Sequence, residues 1–105
     1  MTEIYRLLMP LEFSAAYHDF YSELKLYEST TRALVFVMFS GQFKVFDGDY
    51  HALRDSSGSY FNSEANIWYH IKITFDCASN TFHVWINGKQ AYIGSNPNLQ
   101  FENSV

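Results

Sequence analysis

The stretch Trp68-Tyr69-His70-Ile71-Lys72-Ile73-Thr74-Phe75-Asp76, then Cys77-Ala78-Ser79-Asn80, then Thr81-Phe82-His83-Val84-Trp85-Ile86-Asn87-Gly88 decides the fold. Ile71, Ile73 and Phe75 alternate with His70, Lys72 and Thr74, and Phe82, Val84 and Ile86 alternate with His83 and Trp85. A period of two marks half-buried strands, because successive side chains point to opposite faces of a sheet. A four-residue connection lets Asp76 pair with Thr81. Phe75 then lies opposite Phe82, Ile73 opposite Val84 and Ile71 opposite Ile86. The other face collects Thr74 with His83, Lys72 with Trp85 and His70 with Asn87. A slip of one residue would turn every apolar side chain to the wrong face, so the pattern itself specifies the register. Asn87-Gly88 supplies residues that tolerate the positive φ of a tight turn. Trp68 is out of phase with Ile71 and Ile73, which predicts a bulge or a ring packed at the sheet edge.

A second hairpin lies upstream, Ala33–Phe39 and Gln42–Asp47 around Ser40-Gly41, a two-residue turn with glycine at its second position. Leu34, Phe36, Met38, Phe43 and Val45 share one face; Val35, Val37, Phe39, Gln42, Lys44 and Phe46 share the other. Both faces are largely apolar, which predicts strands covered on both sides. Leu11–Tyr17 and Phe20–Glu28 read as further strands, the second with Leu24 and Leu26 inside and Tyr21, Glu23, Lys25 and Tyr27 outside. Shorter strands are expected at Tyr50–Leu53, Ser59–Phe61, Lys89–Ile93 and Leu99–Phe101. Strands at this spacing, separated by polar turns, predict an all-β antiparallel sandwich or jelly roll. The expected organisation is an N-terminal extension over residues 1–10 and one β-sandwich domain over 11–105.

Composition limits the function. Leu, Ile, Val and Phe make up 29 of the 105 residues, enough for one core. Aromatics reach 19%. The net charge is −4, and the seven basic residues are scattered singly, without the clustered footprint that follows a phosphate backbone. Nucleic acid is therefore not an expected partner. No run approaches the ~18 apolar residues of a membrane span, and the first residues lack the basic start and longer apolar run of a signal peptide. The single cysteine, Cys77, allows neither an intrachain disulfide nor a cysteine-based zinc site.

The segment Asn66–Gly88 resembles the concanavalin A-like lectin/glucanase superfamily, and within it the laminin G-like jelly-roll domains. The shared features are a Trp opening a strand of alternating aliphatics, a polar turn, and a strand ending in Asn-Gly. The hairpin at 33–47 and Asp47-Gly48 also sit where such domains place theirs. The resemblance implies a lectin-like recognition fold, an extracellular or cell-surface setting, and glycan or an extracellular protein as partner. It also implies a longer domain, so the expectation is a sandwich lacking its last strands. This chain carries none of the closely spaced strand acids, Glu-x-Asp-x-Glu, of the superfamily's glucanases.

The candidate chemistry is correspondingly narrow. Asp47 and Asp49 read first as turn residues of Asp-Gly type. They are also the weak candidates for calcium, since loop carboxylates are oxygen ligands of the kind that ion takes. Glycosidase chemistry needs two acids facing each other across a cleft, and no such pair is recognisable. Ser56-Ser57-Gly58-Ser59 lacks the nucleophile-elbow pattern and reads as a flexible turn. His18 and His51 are isolated. The aromatic surface remains. Trp85, with Lys72, His83 and His70, lies on the face opposite the core, where a flat ring can stack on a sugar and polar neighbours can meet its hydroxyls. Core cover, with Lys72 over the Trp85 ring, is the plain alternative. The expected function is thus a non-catalytic recognition module acting through this face, with carbohydrate as the ligand class that the resemblance implies. The alternatives are a self-assembling β-protein, forming homo-oligomers through exposed sheet edges, and a fragment of a polysaccharide-active enzyme.

Overall fold

A computed structural model describes residues 11–16, 21–28, 30–39, 41–76 and 78–103. Over these residues the chain forms nine strands: β1 (Leu11–Ala15), β2 (Tyr21–Glu28), β3 (Thr31–Phe39), β4 (Gln42–Phe46), β5 (Tyr50–Ala52), β6 (Tyr69–Asp76), β7 (Thr81–Ile86), β8 (Lys89–Gln90) and β9 (Leu99–Gln100). Among the described residues there is no helix, so none that is long and apolar enough to cross a membrane. The all-β antiparallel architecture expected from the period of two is what forms.

The first sheet runs β1-β6-β7-β8, with β9 on the same edge of β7 as β8; the second runs β2-β3-β4-β5. The chain therefore leaves the first sheet after β1, builds the second as a simple meander, and returns at β6. The β6–β7 ladder has the register that the alternation predicts, Asp76 with Thr81 through Ile71 with Ile86. Beyond Ile86 the pairing changes character. Asn87 takes φ 50; its N–H donates to the His70 carbonyl at 2.8 Å, and its side-chain oxygen accepts the His70 N–H at 2.8 Å. An amide side chain thus replaces a backbone acceptor where the strand turns away, and Gly88, at φ 81, completes the turn.

Inner side chains of both sheets meet in one hydrophobic cluster. Leu34, Phe36, Met38, Phe43 and Val45 face Ile71, Ile73, Phe82, Val84 and Ile86, with Leu53, Leu99 and Phe101 closing the ends. Phe43 anchors this cluster, with ring centroids 5.0 Å from Tyr69, 6.1 Å from Phe36 and 6.4 Å from Phe61. On the other face of β3, Val35 and Val37 are each 1% exposed, so this strand is covered on both sides, as its doubly apolar pattern predicts.

Several expected elements are shorter than their patterns. Tyr60 makes only an isolated bridge to Arg54, while Tyr92 and Ile93 make isolated bridges to Arg54 and Asn96, so neither 59–61 nor 91–93 is a strand. Tyr17, Phe20, Ser40 and Cys77, the residues 1–10, and the side chain of Tyr21 lie outside what is described.

Trp68 corrects the sequence reading. No register shift interrupts β6 against either neighbour. The strand begins at Tyr69, whose buried ring takes the inward position in phase with Ile71 and Ile73. Alternation then places Trp68 with His70 and Lys72 on the outside, and Trp68 is 72% exposed. A positive φ at Asn66 turns the chain just before the strand. The bulge in this molecule lies elsewhere: Leu26 pairs with Leu34 but Tyr27 with Arg32, leaving Ala33 without a partner in β2. The Ala33 carbonyl accepts the Glu102 N–H at 2.7 Å.

Candidate functional site

The outer face of the first sheet is built by residues whose alternation keeps them off the core. Strand β1 contributes Glu12 and Ser14, β6 contributes His70, Lys72 and Thr74, and β7 contributes His83 and Trp85. The structure brings three of the four predicted ligand-binding residues into direct contact. Lys72 Nζ lies 5.1 Å from the Trp85 ring centroid, and the His83 ring stands edge-on to Trp85 at 6.0 Å. His83 is held from both sides: Nδ1 lies 3.4 Å from Thr74 Oγ1, and Nε2 lies 2.7 Å from Asn98 Oδ1. His70 sits on the same face, with Nε2 3.8 Å from Glu12 Oε1, but it does not join the Trp85 cluster.

This arrangement fixes a flat, half-buried indole among polar groups on a continuous ladder. Rings and donors positioned this way on strands lose little conformational entropy when a ligand arrives. The sequence reading chose Trp85 as the recognition ring, yet Trp85 is half-buried beneath Lys72 and beside His83, whereas Trp68 is the open one. Four residues separate Trp68 from Lys72, the partner of Trp85. At ~3.3 Å per residue that is about 13 Å along the strand.

Asp47 and Asp49 form the turn between β4 and β5. The Asp47 N–H donates to the Asp49 carbonyl at 3.1 Å, and Gly48 takes φ 120. Asp47 Oδ1 lies 2.8 Å from His51 Nε2, so this carboxylate serves the turn and its histidine. Among the described residues no group of three or more His, Cys, Asp or Glu side chains could hold a metal ion.

Sequence reasoning missed a second exposed aromatic group, Tyr50 and Tyr60, which are 55% and 45% exposed. Tyr50 leans on Phe46 with centroids 4.9 Å apart, and Tyr60 lies under the Arg54 guanidinium, 4.0 Å from ring centre to Cζ. Only the tyrosines themselves, in a Gly- and Ser-rich segment, could have signalled this. The 56–59 loop is also more ordered than its composition predicts. Asp55 Oδ1 accepts the Ser57 N–H at 2.9 Å, the Ser57 hydroxyl at 2.6 Å and the Ser59 N–H at 3.1 Å.

No family model, no curated protein and no solved structure matches this chain.

Proposed function

We propose that the protein is a non-catalytic recognition module of jelly-roll type that binds glycan through the outer face of its first sheet. The supporting observation is the Trp85–Lys72–His83 cluster, with Trp68 exposed at the head of the same strand face. Indole faces stack on the C–H faces of sugar rings, while Lys72, His70 and Asn98 offer polar groups to hydroxyls. A glycan array with the wild-type chain, Trp68→Ala and Trp85→Ala tests this. Binding lost in both variants supports the reading; binding absent in the wild type, or unchanged in both, overturns it.

One observation favours a second reading, assembly of two copies. Among the described residues β1 and β2 end their sheets. Between them opens a cleft of about 230 Å³, lined by Phe13, Ala15, Leu24, Phe36 and Met38, with Ser22 and Glu23 at its polar side. Free strand edges beside apolar surface are a template for strand addition. Light scattering over a concentration series decides it, and a strictly monomeric folded species removes this reading.

A further inference from the structure

Away from the first sheet's outer face, a groove of about 520 Å³ runs between β5 and the 92–94 segment. Tyr50, His51, Arg54, Tyr60, Ile93 and Gly94 line it. We infer that this groove is a separate binding site for an acidic sugar, a pyranose bearing a carboxylate, with Arg54 receiving the carboxylate and Tyr50 or Tyr60 receiving the ring.

Arg54 is fixed before any ligand arrives. Its backbone N–H and carbonyl both bond to Tyr92 at 2.8 Å. Its guanidinium donates from Nη1 to the Gly58 carbonyl at 3.0 Å and from Nη2 to the Tyr60 hydroxyl at 2.5 Å. A guanidinium has five N–H donors in a planar fork; two are used, so three remain. Arg32 pairs with Glu102 and Lys25 with Glu23, but no carboxylate among the described residues pairs with Arg54. Of the nearby acids in sequence, Asp55 is engaged by Ser57 and Ser59 and Asp47 by His51, while Asp49 makes no ion pair with Arg54.

A planar, preorganised guanidinium with N–H donors to spare and no carboxylate partner among the described residues is the kind of group that receives a carboxylate. The Tyr60 hydroxyl accepts from Arg54 and keeps its own proton to donate. Both tyrosine rings are open, and each is braced from behind, Tyr50 by Phe46 and Tyr60 by Arg54. Charge recognition and ring stacking thus lie within one groove. A neutral glycan uses only the second of these.

The test is titration calorimetry with tetragalacturonate and with its fully methyl-esterified form, which keeps the rings and removes the charge. The free acid should bind at least tenfold more tightly than the ester. Arg54→Gln should abolish that preference and Arg54→Lys should retain part of it. Tyr50→Ala, which leaves the Arg54 hydrogen bonds intact, should weaken the free acid severalfold and guards against a folding defect in the Arg54 variants. Trp68→Ala and Trp85→Ala should keep the preference for the acid over the ester, which the sheet face does not supply. Equal binding of acid and ester, or full binding by folded Arg54→Gln, overturns the inference. Loss of acid binding in the tryptophan variants alone would move the acidic ligand to the sheet face and equally overturn it. Failure of neutral glycans on the array, with acid binding at Arg54 intact, sinks only the sheet-face function.

Discussion

Arg32 and Glu102, seventy residues apart, form a bidentate ion pair: Nε to Oε2 at 2.5 Å and Nη2 to Oε1 at 2.6 Å. Hydrogen bonding to Glu102 holds the Arg32 guanidinium proton above its already high ordinary value. The Glu102 N–H reaches the carbonyl of Ala33, the residue the bulge leaves unpaired, and the Asn103 amide donates to the Arg32 carbonyl at 2.8 Å. Glu102→Gln, which keeps the shape and removes the charge, should lower Tm, and Glu102→Ala should lower it further. A bulge opened by this loss should show faster amide exchange at Glu102 in the alanine variant. Unchanged melting in both variants would show that the bulge is held by backbone contacts alone.

Phe43→Ala should cost about 3–5 kcal/mol, as deletion of a fully buried aromatic does. Three aromatic neighbours lose a partner at once. In a domain whose whole stability is about 5–15 kcal/mol, urea unfolding of this variant should begin near zero denaturant. Phe43→Leu should recover much of the loss.

The two tryptophans should separate stability from binding. Trp68→Ala should change stability by less than about 0.5 kcal/mol, as exposed substitutions do, while reducing glycan retention. Trp85→Ala should cost about 1–2 kcal/mol in addition, because part of that ring is removed from water. Paired urea melts and array signals measure both.

Asn87 carries two duties, a positive φ and an acceptor for the His70 N–H. Asn87→Ala loses both and should cost about 1–3 kcal/mol, combining left-handed strain with an unmade hydrogen bond. Asn87→Gly relieves the strain and should fall between. Asn87→Asp should come closest to wild type, with chemical denaturation as the readout.

Asp55 is held below the ordinary carboxylate range, chiefly by the Ser57 hydroxyl, then by the Ser57 and Ser59 N–H groups, with the Lys89 charge acting in the same direction. A depressed native value stabilises the fold above the unfolded value and loses that contribution as pH falls through the native one. The Tm difference between wild type and Asp55→Asn should therefore be constant near neutrality and shrink below the usual carboxylate range. A gap independent of pH would mean that the loop is held by geometry rather than by the carboxylate charge.

How much was legible in the sequence depends on the distance over which each signal acts. The β6–β7 register was readable because pattern and turn length both act locally and agree. The burial of Val35 and Val37 followed from a doubly apolar strand. Ala33 could not be read as a bulge, because an unbroken apolar run hides a one-residue shift. Trp68, out of phase with Ile71, marks neither a bulge nor a ring packed at the sheet edge but a ring that faces outward, since phase alone does not separate these cases. Trp85 lies on the face the alternation gives it, and the Lys72 contact over its ring is the one the cross-strand pairing offers. Arg54 was invisible as a site residue, since its fixed geometry comes from Tyr92 and Gly58, one far along the chain and one hidden in a Ser-rich loop.

The Glu102 amide on Ala33 also sets an order of events. The bond joins residues separated by seven intervening strands or parts of strands, and the entropy of closing so long a loop predicts that it forms late. Contacts made after the rate-limiting step govern how fast a protein comes apart rather than how fast it assembles. The clasp therefore acts as a brake on unfolding. Substitutions there should shorten the lifetime of the native state while leaving refolding nearly unchanged.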